Sequence, residues 1–257
     1  MLLSVCLRKR RRCLWLVEDS QTFYSTVCSL MFMNNFLNKV KGFTARNTPV
    51  GFNKAYVKAK EIAVRLHKIS GKSAVGRLPP GQTLTKGFPV LDLGVHPSFN
   101  SDTYRLQVYG LAPERLFTYD QLLKMPSQEF SEDFHCVTHW SKFDVKWKGI
   151  PFKEFLKIVK PDNRWQFLIQ EGLDRYATNV TRADVERDNV FLVYELEGKP
   201  LPIEHGGPLR LIIPHLYGWK GSKFLSSLKF VVRDEPGFWE VRGYHNHGDA
   251  MNEERYS

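Results

Sequence analysis

Beyond residue 88 the chain is written in short runs whose apolar positions tend to recur at every second residue. Tyr104 to Tyr109 alternates and stops at Gly110, and Phe143–Trp147, Trp165–Gln170, Val190–Leu196, Leu209–Ile213 and Leu228–Val232 are further runs rich in β-branched and aromatic residues. Such runs predict strands. Three brief helical signals lie between them. Thr118 can cap a helix from Tyr119 to Met125 that Pro126 stops, Pro151 can open one through Val159 that Pro161 stops, and Thr181-Arg182-Ala183-Asp184 opens a third. The absence of a regular βαβ rhythm and of any internal repeat argues against a doubly wound sheet. The pattern predicts an α+β fold with mixed, mainly antiparallel sheets and short helices.

The N-terminal part has a different period. Phe52, Ala55, Tyr56, Ala59, Ile62, Ala63, Leu66 and Ile69 recur at three- and four-residue steps after Thr48-Pro49, and Gly71 follows. This predicts an amphipathic helix over about 49–70, with Lys54, Lys58, Arg65 and Lys68 on its other face. The residues from Gly71 to Gly87, with Pro79-Pro80-Gly81, read as a linker or extended arm. Two regions follow, a basic extension over 1–75 and a folded domain over 76–257.

Charge sharpens that division. The chain of 257 residues carries a net charge of +10, but residues 1–75 hold 14 Lys+Arg against 3 Asp+Glu while residues 76–257 hold 23 against 24. The first part is therefore at +11 and the second at −1. A nucleic-acid binder should carry its basic footprint on the folded module, so no nucleic-acid partner is expected. The basic helix is expected to dock on the domain in preference to a membrane surface. Leu14–Val17 is too short for a secretory core, and the longest uncharged run, Ser20 to Asn38, is too polar to span a bilayer. The four cysteines include no C-x-x-C pair, which excludes a disulfide scaffold and a paired-thiolate zinc site. The expectation is a cytoplasmic protein, with organellar targeting by the extension, or a start at Met31 or Met33, as alternatives.

Three stretches could carry chemistry. In Phe134-His135-Cys136-Val137-Thr138-His139-Trp140-Ser141, Cys136 is the only cysteine of the folded domain. It reads either as a small buried apolar residue or as a soft thiolate donor for a transition metal. The run from Glu204 through His205-Gly206-Gly207-Pro208-Leu209-Arg210 to Trp219-Lys220-Gly221-Ser222-Lys223 combines glycines, which let the backbone approach a ligand, with cations that would compensate a phosphate. Its spacing is not that of a Walker loop, and the bland alternative is a β-turn with solvated lysines. His245, His247 and Asp249 could bind a metal, though a polar loop that wraps the domain is the expected reading.

Taken with Leu91-Asp92-Leu93-Gly94-Val95-His96-Pro97 and Tyr176-Ala177-Thr178-Asn179, these motifs in this order resemble the molybdopterin-binding domain of sulfite-oxidase-like oxidoreductases, in particular its small stand-alone branch. The resemblance covers about Leu78 to Ser257 and implies that fold type. It implies molybdopterin as the cofactor and Cys136 as the metal ligand. His96, His205, Arg210 and the turn of Lys220, Gly221, Ser222 and Lys223 would hold the pterin and its phosphate, with Thr178 and Asn179 at a pterin-contact stretch. His139 would border the open coordination position. Such enzymes move an oxygen atom to or from a small molecule in a two-electron cycle, and a separate electron-transfer partner is implied because neither a haem domain nor a C-terminal dimerisation domain is expected here. No arginine occurs in Val137-Thr138-His139-Trp140-Ser141, where sulfite oxidases hold their anionic substrate, so sulfite is not expected. The alternative is a non-catalytic binding module of the same fold, recruited to a membrane or acidic partner by the basic helix.

Overall fold

The computed structural model describes residues 76–94 and 96–257, so the basic extension and its helix over 49–70 lie outside the described residues. Eleven strands are described: β1 (Thr83–Leu84), β2 (Arg105–Gly110), β3 (Arg115–Thr118), β4 (Gln128–Cys136), β5 (Trp140–Pro151), β6 (Phe167–Gly172), β7 (Ala177–Thr181), β8 (Phe191–Leu196), β9 (Lys199–Pro200), β10 (Arg210–Ile212) and β11 (Leu225–Val231). Three short α-helices accompany them, α1 (Tyr119–Leu123), α2 (Phe152–Val159) and α3 (Arg182–Val185). One sheet runs β1-β5-β8-β10, with β4 added to β5 and β9 to β8; the other runs β3-β2-β11-β6-β7. Only the β1–β5 and β2–β11 ladders are parallel among the described residues. The mixed α+β, mainly antiparallel architecture is as the residue pattern predicts.

Strand β8 shows why the sheets are layered. All but Glu195 of its residues are buried, so it reads as a continuous apolar run rather than an alternating one. Leu192 and Tyr194 enter the main core, where they meet Leu106 and Val108 of β2, Phe155 of α2 and Leu228 and Phe230 of β11. Phe191 and Val193 point the other way, into a second cluster with Val145, Trp147 and Ile212. Each side chain of this size removed from water contributes roughly 1.5–3 kcal/mol. A central strand with two buried faces thus ties the core to the layer beside Cys136, because Phe88 and Phe134 also pack on the second cluster.

The helices follow their punctuation. The Thr118 hydroxyl accepts from the Gln121 N–H while Gln121 Oε1 accepts from the Thr118 N–H, a reciprocal cap on α1. Helix α2 buries Phe152, Phe155 and Val159 and ends at Lys160, which takes a left-handed conformation (φ 49°) before Pro161.

Two strands differ from expectation. The alternation at Phe143–Trp147 is only the middle of β5, which continues past Trp147 through a register shift at Lys148/Gly149. There a Cβ on Gly149 would lie 2.3 Å from the Leu192 carbonyl oxygen, so the missing side chain is what lets β5 and β8 stay paired. Strand β4 carries Glu129, Glu132 and Asp133 and has no apolar alternation strong enough to read. It forms because β5 offers a long partner and because Phe130 stacks on Phe191 at 3.6 Å between ring centroids. No helix among the described residues is long and apolar enough to cross a membrane.

Candidate active site

Cys136 is the last residue of β4 and lies opposite Trp140, the first residue of β5, so the tight turn Val137-Thr138-His139 holds its backbone. The side chain is buried in a cluster with Trp140, Phe88, Leu91 and Phe134. Its Sγ lies 3.2 Å from the Thr138 hydroxyl. Burial holds the thiol pKa above its ordinary value, and the Thr138 hydroxyl and N–H, the Arg255 guanidinium and the Lys223 ammonium offset that rise only in part. A sulfur with two cations and two donors near it, yet shielded from water, is suited to bind a soft metal as thiolate.

The arm before β2 closes one side of this sulfur. Phe88 stacks on the His205 ring with centroids 4.6 Å apart, and the Lys223 ammonium donates to the carbonyls of Leu91 and Glu204 at 2.6 and 2.7 Å. Lys223 therefore pins the arm to the loop that carries His205. Burial, with Lys223 and Arg210 close by, pushes His205 down to about 4, so its ring is neutral at pH 7. His96, further along the arm, lies with Nε2 2.8 Å from Asp92 Oδ2. Burial favours the protonated Asp92 carboxyl, but His96, Lys223 and the Gly94 N–H together hold it below its ordinary value.

Arg210 supplies the clearest indication of a ligand. It is 2% exposed, Nη1 donates to the His205 carbonyl at 2.7 Å, and the guanidinium carbon lies 5.4 Å from the centre of the Phe134 ring. Its Nε is buried with no hydrogen-bond partner. Burial pushes this guanidinium down to about 10. A buried cation with a donor unused is costly unless an anion completes it. Beside it, Gly206 adopts φ +107°, and a Cβ there would sit 2.9 Å from Lys223 Cγ. A soft sulfur donor, an unsatisfied buried guanidinium and a close-approach glycine fit a ligand that joins a metal centre to an anionic group.

The match to known sequences decides which ligand. Residues 93–239 match the model of the oxidoreductase molybdopterin binding domain. The chain belongs to that family. It is a molybdenum-dependent oxidoreductase, and molybdopterin is its cofactor. It is 36% identical over 184 residues to YuiH of Bacillus subtilis, an uncharacterized oxidoreductase, across 71% of this chain and 93% of that one. It is 27% identical over 167 residues to the protein-methionine-sulfoxide reductase catalytic subunit MsrP of Ralstonia nicotianae, and spans about half (50%) of that protein's length. Among solved structures, the sulfane dehydrogenase SoxCD of Paracoccus pantotrophus shares the fold with a TM-score of 0.53 at 17% identity, over 70% of this chain and 54% of that one.

Within this member of the family, the residues singled out from sequence fall into two groups. Cys136, His205, Arg210 and Lys223 gather on one side, with His96 on the adjoining arm. Thr178, Asn179 and Lys220 form a separate buried cluster. Lys220 Nζ donates to Asn179 Oδ1 at 2.8 Å, to Glu240 Oε1 at 2.7 Å and to the Asn246 carbonyl at 2.7 Å, which engages all three of its protons. The Thr178 hydroxyl and the Trp219 indole N–H also donate to Glu240 Oε1. The turn that sequence reads as one cationic cradle thus divides, with Lys220 inward and Lys223 toward Cys136. Between them, Gly221 lies against the Leu211 carbonyl and Ser222 N–H donates to Gln170 Oε1, so both shape the turn.

His139 stands at the tip of the hairpin in a left-handed conformation (φ 67°), with Nδ1 2.9 Å from the Gly81 carbonyl oxygen. Of His245, His247 and Asp249, His247 lies between Asp184 and Glu254, and the Asp249 N–H donates to Glu254 Oε2. No group of three or more His, Cys, Asp or Glu among the described residues is arranged to hold a metal. Sequence reasoning missed Arg255, two residues before the last one and 4% exposed, whose guanidinium reaches the turn after Cys136. Nothing near it in the sequence marks it.

Proposed function

We propose that this chain reduces a neutral S-oxide by oxygen-atom transfer, with Cys136 as the protein's thiolate ligand to molybdenum and a separate partner supplying electrons. The observation that carries the reading is Cys136 in one buried cluster with Phe134, whose ring borders Arg210 and its unused Nε. When bound, the cofactor supplies two-electron exchange of an oxygen atom. The chain's own groups do the rest. Arg210 and Lys223 hold the anionic end of the cofactor, and His205, neutral at pH 7, adds a hydrogen-bonding ring without further charge. Phe88, Phe134 and Trp140 exclude water from the sulfur. In the net reaction the S–O bond breaks, two electrons and two protons are taken up and water leaves. The name of the Ralstonia relative supports an S-oxide as the first substrate to test, and the lack of arginine over 137–141 argues against sulfite.

The test uses protein from a host that makes molybdopterin, assayed with methyl-aryl sulfoxides, N-oxides and sulfite and with a reduced viologen or an oxidised acceptor dye. Molybdenum near one per chain and turnover of the sulfoxides are expected. Cys136→Ser should abolish turnover and alter the Mo(V) paramagnetic signal. A wild-type protein without molybdenum, or a Cys136→Ser variant with an unchanged signal, would sink the reading.

A further inference from the structure

Arg255 joins three segments that are far apart in sequence. Its Nη1 donates to the carbonyl of Val137, the residue after Cys136, at 2.7 Å, and its Nη2 donates to the Pro80 carbonyl at 3.1 Å. The guanidinium carbon lies over the Tyr217 ring, 4.8 Å from its centre. The nearest carboxylate, on Glu253, is 3.4 Å from Nε and nearly half exposed. Arg255 is therefore a buried cation whose best contacts are two backbone carbonyls rather than an anion.

The Val137 carbonyl belongs to a turn in need of external support. His139 holds a positive φ, which costs a residue with a Cβ unless the surroundings fix it. The arm fixes one side: Gln82 Nε2 donates to the Cys136 carbonyl at 2.9 Å, and the Thr83 N–H donates to the His139 carbonyl at 2.9 Å. Arg255 fixes a further carbonyl of the hairpin, that of Val137, and fastens it to Pro80 of the same arm. A planar guanidinium presents its donors as a rigid fork that can reach two carbonyls in fixed directions beside a ring, whereas an ammonium is a compact point charge without that fork.

We propose that Arg255 is a positioning residue, a strap from the C-terminal tail that locks the Val137–His139 turn and so fixes where Cys136 Sγ stands. The metal part of this inference rests on Cys136 being the molybdenum ligand; the strap itself does not. The tail would then be part of the site, although residue 255 lies outside the 93–239 span that the family model matches.

Full-length wild type, Arg255→Met and Arg255→Lys test it with two measurements. Amide hydrogen exchange should rise at least ten-fold in a peptide spanning 134–142 in Arg255→Met, with the strands of the other sheet unchanged. Arg255→Lys should fall between, because it keeps the charge but loses the rigid planar fork that reaches Val137 and Pro80 in fixed directions. In molybdenum-loaded protein the Mo(V) signal of Arg255→Met should broaden or split into more than one species at equal metal content. Unchanged exchange in 134–142, or a rise spread evenly over β2, β6 and β11, would overturn the strap. Exchange as expected with an unaltered Mo(V) signal would overturn the claim that it fixes Sγ. A wild type without molybdenum would defeat the reading of Cys136, while the exchange result would still decide the strap.

Discussion

Lys220 and Lys223 stand three residues apart in one turn, and the protein uses them in opposite ways. Lys220 is fully buried, and a carboxylate, an amide oxygen and a backbone carbonyl take its three protons. Lys223 faces the Cys136 side and bridges two carbonyls, leaving its charge to act on the thiol and on His205. The first is a closed ion pair that welds β7, the 3₁₀ turn at Gly218–Lys220 and the loop at Glu240 together. The second is a cation that ties the arm to the His205 loop, beside the thiol around which the site is built. Buried charge alone therefore does not mark a ligand site: the protons of Lys220 all go to the chain's own acceptors, whereas the buried Arg210 keeps a donor unused.

The largest expected effect tests the closed pair. Lys220→Met should cost about 3–5 kcal/mol, because Glu240 would be left buried without its cation. Urea unfolding gives the value, and Lys220→Met with Glu240→Met should recover much of it. Lys223→Met should cost about 1–3 kcal/mol, the scale of hydrogen bonds from a charged group, yet lower the molybdenum content several-fold. Equal stability losses at the two positions, or undiminished metal in Lys223→Met, would erase the contrast.

Arg210 sharpens the contrast on the Cys136 side. With its Nε unpartnered, replacing it by Met should change stability by no more than about 1 kcal/mol, since removing a poorly compensated buried cation is close to neutral. Molybdenum content, measured on the same preparation, should drop roughly ten-fold, the scale on which a single charge-assisted contact acts. A strongly destabilised variant that keeps its metal would place Arg210 with Lys220, as structure rather than site.

Much of the fold was legible because it depends on local period. The strands at 104–109, 165–170, 190–196 and 209–213 and the helices begun at Thr118 and Pro151 all occur within a few residues of where alternation and capping put them. The strand β4 was not legible, since Glu129, Glu132 and Asp133 hide its two stacked phenylalanines and its partner is supplied by tertiary pairing. In the site, Cys136, His205 and Arg210 could be singled out by residue type and spacing. The split between Lys220 and Lys223 could not, because Glu240, Asn179 and Asn246 become its partners only when the chain is folded. Arg255 is the extreme case: it lies 118 residues from the carbonyl it holds.

The smallest expected effect concerns the loop that carries Asn246 to Lys220. Next to Asn246, His247 donates from Nε2 to Asp184 at 3.1 Å and pairs through Nδ1 with Glu254 at 2.8 Å. His215, Arg187 and His245 face the same two carboxylates. Asp184 raises His247 to about 9, above the roughly 6.5 of an unfolded histidine. The folded state therefore holds this proton more tightly than the unfolded chain. Its stabilisation is complete below about pH 6.5 and is lost as the pH rises through about 9. Since 35% of the His247 side chain is exposed, solvent screening limits the contribution to at most about 1 kcal/mol, a few degrees of Tm. Thermal unfolding of wild type should thus decline between pH 7 and pH 10 more steeply than that of His247→Gln, whose glutamine cannot titrate. Parallel curves would mean that the loop reaches Lys220 without help from His247, and the weld around Glu240 would then rest on the Lys220 pair alone.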